Sequence, residues 1–317
     1  MKEINKNVKY IINNNVYNNF NIKFKEPIHI LYNHKDKVKC LSILKDGRLV
    51  SGSDDESIII YNRVTYQPDL IIREHNDSVN YIMTLSSGIL SSCSDDETIK
   101  LFNIKDNKYE ILQTLNYHTD RVYKIIELKN KSLVSCSYEN SIIFYSKDNN
   151  SNYIKDYKLN TNGSCCAVIE TKDNEICYSE SNDTIYFYDY LHKQIISKLN
   201  NINTNIYINK EFIMISKELL LIPGKNRISI INIKKYKLIR IIDVSNSNNI
   251  IGTCILNENI LFTGDGKGII REWKIERDNL ILSSIKENSH KDIIWSLINI
   301  GDEHIVSCSF DNLIKIW

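Results

Sequence analysis

One short motif recurs along this chain. SGSDDESIIIY ends at Tyr61, SCSDDETIKLF at Phe102, SCSYENSIIFY at Tyr145 and SCSFDNLIKIW at Trp317. Each copy is a run of small residues, a polar turn and an apolar run, the pattern of a tight β-hairpin. The residues that close the hairpins are Tyr61, Phe102, Tyr145, Tyr188, Ile231, Trp273 and Trp317, at intervals of 41, 43, 43, 43, 42 and 44. A second marker is independent of the first. His34, His75 and His118 each precede an apolar run and stand 41 and 43 residues apart; His290 follows after 172, four periods of 43. Both markers give seven units. Such a period decides the architecture before any local reading, because each unit buries its faces on copies of itself.

Within the first unit four short alternating runs fall at 38–44, 49–53, 57–61 and 69–73, separated by Asp, Asn, Gly and Ser. Four strands in a period of about 40–45 residues describe a propeller blade. Composition agrees: isoleucine and tyrosine abound, whereas alanine occurs once, at Ala167. The expected fold is all-β, a seven-bladed β-propeller of four-stranded antiparallel blades. The last unit stops at its third strand. Residues 27–31, PIHIL, stand before His34 at the offset where a fourth strand precedes the histidine elsewhere. Ring closure by this N-terminal strand would remove two open edges. Residues 23–317 thus make the propeller. Residues 1–22, with their Asn-rich run NNNVYNNF, are an extension, disordered or laid along a blade edge.

Over residues 27–317 the chain resembles the WD-repeat (WD40) family. The Trp-Asp dipeptide of that family is replaced here, by Tyr61-Asn62, Phe102-Asn103, Tyr188-Asp189 and Trp273-Lys274 among others. The resemblance implies a hydrogen-bonded set in each well-kept blade: a histidine, a serine, a turn carboxylate and the closing ring. The seventh unit supplies His290, Ser307, Asp311 and Trp317; the first His34, Ser51, Asp55 and Tyr61; the second His75, Ser92 and Asp96. Phe102 closes the second without a polar atom, so that set stops one bond short. In the third, His118 and Ser135 go with Glu139 and Tyr145. In the middle units Asn182, Lys225 and Lys267 occupy the carboxylate position, and blades 4–6 are expected to hold by packing alone.

His, Ser and Asp together invite a hydrolase reading. A catalytic constellation occurs once, in a cleft, whereas these sets recur with the fold, so no catalytic residue is assigned. No phosphate loop, metalloprotease helix or nucleophile elbow is present, and Gly264–Gly268 between two apolar runs reads as a turn rather than an anion cradle. Neither metal nor cofactor is expected: the repeated histidines belong to different blades, and no Cys-x-x-Cys pair occurs among the eight cysteines. Cys93, Cys136 and Cys308 share one repeat position with Gly52, a slot for a small buried residue. Net charge is +1, from 40 basic and 39 acidic residues, and gives no global pull toward nucleic acid or an anionic membrane. No apolar run of transmembrane length or secretory leader is evident, which points to the cytoplasm, with the nucleus as alternative.

For function the resemblance implies a non-enzymatic scaffold binding other proteins on its wide face. By position, the rim of that face falls to Lys37, Lys39 and Asp54 in the first unit, and to Ser78, Asn80 and Asp95 in the second. The third supplies Arg121, Tyr123 and Tyr138, the seventh Ile293, Trp295 and Phe310. Trp295 with Phe310, and Tyr123 with Tyr138, are the candidate anchors, since exposed aromatics and arginine dominate binding surfaces; packing between neighbouring strands is the competing reading. The alternative function is attachment to an anionic membrane or nucleic acid through Lys234, Lys235 and Lys237 of the fifth unit, although no Phe-Arg-Arg-Gly signature accompanies them.

Overall fold

The computed structural model describes residues 26–202, 211–244, 249–301 and 303–317. Among these, 28 strands pair into seven antiparallel sheets of four, and no helix occurs. Within each blade the strands are lettered a to d in sheet order. Strands a are Val38–Ile43, Val79–Thr84, Val122–Glu127, Cys165–Lys172, Ile213–Met214, Ile250–Asn257 and Ile294–Gly301. Those of blades 6, 7 and 1 lie side by side, as do those of blades 1 to 4, which places strands a innermost.

The seven sheets bury their faces on one another. Seven apolar clusters form, one in each blade–blade interface. Between blades 1 and 2, for instance, Val50, Ile58 and Ile60 meet Val79, Leu90 and Phe102. The closing residue of each hairpin fills the interface with the preceding blade, as Tyr61, Tyr145 and Trp273 do. A lone blade would expose both faces, so the ring is the smallest unit that removes this apolar surface from water.

Closure occurs as the sequence reading expects, with a shorter strand. His29–Leu31 pairs with Ile314–Ile316, matching His29 to Ile316 and Leu31 to Ile314. Leu31 then joins the core between blades 7 and 1. The extension 1–22 lies outside the described residues.

Two local features recur. In all seven blades the b–c turn holds a left-handed residue: Glu56, Glu97, Asn140, Asp183, Asn226, Gly268 and Asn312, with φ between 57° and 73°. Only at Gly268 does the neighbouring blade demand glycine, since a Cβ there would lie 2.2 Å from the His290 carbonyl oxygen. The second feature is a pair of β-bulges. One interrupts the c–d pairing at the closing residue of blades 1–6 and twists the outer edge. The other interrupts the a–b pairing at the wide-face end of strand a in blades 1, 2, 3, 4, 6 and 7.

Candidate functional site

The polar sets form the frame beneath the wide face. In blade 7, Trp317 Nε1 donates to Ser307 Oγ at 2.8 Å, Ser307 lies 2.7 Å from His290 Nε2, and His290 Nδ1 is 3.0 Å from both Asp311 oxygens. One arrangement uses every donor: Trp N–H to Ser, Ser O–H to a neutral imidazole, and imidazole N–H to the carboxylate. Asp311 also accepts the backbone N–H groups of Lys291 and Leu313. Burial opposes a charged imidazole and outweighs the neighbouring carboxylate, holding the His290 and His118 pKa values below the ordinary range. Burial alone would raise the Asp311 pKa, but its hydrogen bonds, the His290 bond foremost, hold it at about 2. Asp55, Asp96 and Glu139 are likewise depressed.

The other sets follow the expected gradation. His34 and His75 bridge Ser51 to Asp55 and Ser92 to Asp96. His118 bridges Ser135 to Glu139, whose longer side chain also takes Thr119 Oγ1 and Lys158. The Tyr145 hydroxyl reaches Ser135 at 2.9 Å, Tyr61 stands 3.4 Å from Ser51, and Phe102 contributes only its ring. The four serines are completely buried, out of reach of a substrate. A further serine, missed in the sequence reading, works in each of these blades. Ser53, Ser94, Ser137 and Ser309 donate to the carbonyls of Asp36, Asp77, Asp120 and Asp292, and accept from the N–H of the set carboxylate.

Blades 4–6 correct the expectation that packing alone holds them. In blade 6, Trp273 Nε1 still donates to Thr263 Oγ1 at 2.9 Å, while Asp265 takes over the turn, accepting from Lys267 and Ile269 N–H and from Arg271 Nη1 at 2.6 Å. Those backbone bonds make Gly264–Gly268 the turn that its sequence suggests. In blade 4, buried Glu180 accepts from Asn162 N and Asn182 Nδ2, and Asn182 caps the turn at Thr184 N. In blade 5, Ser229 donates to the Ile202 carbonyl, and apolar packing dominates. The carboxylate has moved two residues back along the hairpin in blades 4 and 6, so matching positions one by one misses it.

The rim residues are positioned by the inner bulges. Lys39, Asn80, Tyr123 and Trp295 are each the extra residue of the a–b bulge, which re-aims the side chain. One backbone bond per blade then sets the turn residue beside the start of strand a: Asp54 N to Lys37 O, Asp95 N to Ser78 O, Tyr138 N to Arg121 O and Phe310 N to Ile293 O, at 2.9–3.0 Å. The result is a connected arc. Trp295 stacks on Phe310 with centroids 4.6 Å apart and planes at 15°, and Lys37 Nζ lies 5.1 Å from the Phe310 centroid. Lys39 pairs with Asp54 at 2.5 Å and reaches Asn80, which donates to Asp95 at 2.5 Å. The Asp95 charge and the Tyr123 hydroxyl stabilise the Arg121 guanidinium, and Tyr123 meets Tyr138 edge-on at 6.1 Å. Both sequence-proposed pairs are therefore brought together. Tyr138 is exposed, whereas Trp295 and Phe310 are half-buried against each other.

Inside the ring, Lys124 on strand a of blade 3 is buried. Its Nζ stands 3.8 Å from Glu211 at the entrance to blade 5 and 5.1 Å from the Tyr81 ring of blade 2. On the narrow face, Glu127 accepts from Ser86 N and Oγ, and Glu170 from Lys129 N. These clasps join blades 2 to 3 and 3 to 4. Each spans 41 residues, a repeat-length signal that was available in the sequence. Lys234 is paired with Glu218 at 2.5 Å, and Asn232 caps the N–H groups of Lys234 and Lys235. All eight cysteines are buried thiols outside any disulfide, and burial raises the pKa of Cys165, Cys177 and Cys308 well above the ordinary thiol range. No helix among the described residues is long and apolar enough to cross a membrane.

The family model described as WD domain, G-beta repeat matches residues 25–62 and 282–317, the two stretches that meet where the ring closes. No curated protein matches the chain. That match lies on both sides of the closure in a ring of seven four-stranded blades: the fold is a seven-bladed β-propeller in which the first and last units match WD40 repeats.

Proposed function

We propose that this chain is a non-enzymatic platform that holds partner proteins, through peptides or loops, on the wide face of the propeller. WD40 propellers commonly serve as interaction scaffolds. The observation that carries the reading is the arc itself: side chains from blades 7, 1, 2 and 3 converge, on bulges, into one preorganised surface. Trp295 and Phe310 are its main anchor and Arg121, Tyr123 and Tyr138 the second. Lys37, Lys39, Asp54 and Asp95 form the polar stretch between them. Aromatic side chains already fixed in place lose little conformational freedom on binding, which is what a hot spot needs. Eight buried cysteines outside any disulfide suit a reducing compartment, cytoplasm or nucleus.

The test is to purify complexes on the tagged chain, identify a partner that binds directly, and titrate it against Trp295→Ala/Phe310→Ala. Binding should weaken by at least about tenfold. Val64→Ala/Leu191→Ala, at exposed c–d turns on the opposite face, should bind as the parent does. Equal binding by parent and Trp295/Phe310 variant, with loss in the Val64/Leu191 variant, would move the site to the narrow face.

A further inference from the structure

Asp36, Asp77, Asp120 and Asp292 occupy the same repeat position in blades 1, 2, 3 and 7, at the wide-face entrance to strand a. Each fixes itself by accepting the N–H of the next residue at 2.7–2.8 Å. Asp120 is half-buried and the other three are exposed, and none of the four forms an ion pair within the described residues. Three cations of the same face are already engaged, Lys39 by Asp54, Arg121 by Asp95, Tyr123 and Asp120, and Lys37 by the Phe310 ring, while Lys35 and Lys291 stand exposed beside Asp36 and Asp292. Below them, the blade-7 set adds carboxylate charge, because His290 is held neutral while Asp311 stays ionised; in blade 3 the Glu139 charge is met by Lys158 at 3.1 Å. Over blades 1 and 2 the carboxylates of the b–c turns and strand-a entrances outnumber the cations, which makes that sector of the face negative on a chain whose net charge is only +1.

A second feature, independent of the carboxylates, points to the same ligand chemistry. The Trp295–Phe310 slab already receives an ammonium group, that of Lys37, against the Phe310 ring. An aromatic face attracts a cation through its quadrupole, and Lys37 occupies that place on an exposed stem.

We infer that the segment held on the wide face is basic: an extended stretch of a partner protein whose Lys or Arg side chains lie over the aspartate rim while its apolar side chains cover the Trp295–Phe310 slab. This rests on the wide-face reading above and names the chemistry of the partner. Nucleic acid is disfavoured at this face, since phosphates would meet the same carboxylates.

The probe is a displayed library of random peptides, selected on the full chain at low salt. Selected peptides should be enriched in Lys and Arg, and should lose affinity by about tenfold or more on Asp36→Asn/Asp77→Asn/Asp120→Asn/Asp292→Asn. Asparagine keeps the oxygen that accepts the following N–H, so this variant should melt like the parent. Added salt should weaken binding to the parent more than to the variant. Peptides that depend on Trp295 and Phe310 but show no basic enrichment would overturn the inference and leave the wide-face reading standing. Peptides indifferent to both sets of substitutions, or failure to select any, would count against both.

Discussion

Blades 7 and 6 close on the same residue type, Trp317 and Trp273, and each indole donates to a hydroxyl across its hairpin. Beyond that bond they part. Blade 7 continues through a neutral histidine to a half-buried carboxylate that faces the rim. Blade 6 instead locks a completely buried carboxylate onto an arginine of its own sheet. The comparison extends to both halves of the ring: blades 7, 1, 2 and 3 carry histidine sets and the aromatic and charged arc, and blades 4–6 carry substitutes. A histidine set ties the loop before strand a to the b–c turn, the two segments that present the rim. The Asp265–Arg271 pair ties only turn to strand, and stabilises a blade without shaping a surface.

Removing residues 1–31 takes away the outer strand of blade 7 and Leu31 from the core at the seam. It should give aggregation and loss of the cooperative melt, whereas removing 1–22 should leave the melting temperature unchanged; a soluble, folded chain after the longer deletion would refute closure by that strand. Next in size, Arg271→Met strands Asp265 without its cation and should cost about 3–5 kcal/mol in urea unfolding, while Arg271→Met/Asp265→Asn should recover most of it. If the single change costs under about 1 kcal/mol, the pair is not the substitute described above.

Asp311→Ala, which leaves His290 and two backbone donors unpaired, should cost about 1–3 kcal/mol; Asn182→Ala in blade 4, which removes only a turn cap and one amide bond, should cost about 1 kcal/mol or less. Equal effects would erase the distinction between the halves. Acid should show it too. A histidine held neutral contributes stability that is complete above the unfolded pKa of 6.5 and is lost as pH falls below it. The Asp311 contribution then disappears between about pH 4 and pH 2. Unfolding midpoints measured from pH 7 downward should decline from pH 6.5, and replacing His118 and His290 with Asn should flatten that first decline. The smallest expected change is a gain: Phe102→Tyr supplies the hydroxyl that Ser92 lacks and should add about 0.5–1.5 kcal/mol. A loss would show that the interface with blade 1 has no room for one oxygen.

Much of this was legible in the chain because a repeat writes the same short-range requirement many times over. The histidine, serine and carboxylate of each set keep one spacing, so their convergence could be read from positions alone, down to the missing bond at Phe102. The substitutes in blades 4 and 6 were not legible in that way. Asp265 and Glu180 stand where other blades have Ser53 or Ser309, and only the folded hairpin shows a carboxylate there reaching Arg271 or Asn182. Lys124 and Glu211 meet across the inside of the ring from blades two apart, a pairing that no repeat position announces.

The sequence by itself determined the number of blades, the strand that closes the ring and the four histidine sets, because all are consequences of a fixed period and of side chains that must bury their polar atoms. The tertiary structure alone decided that the rim would be a surface. The inner bulges turn Lys39, Asn80, Tyr123 and Trp295 to the wide face, and the bond from Phe310 N to Ile293 O sets one ring on another. A bulge is one unpaired residue whose position depends on how two strands are forced to register, and that force comes from neighbouring blades rather than from the residues themselves.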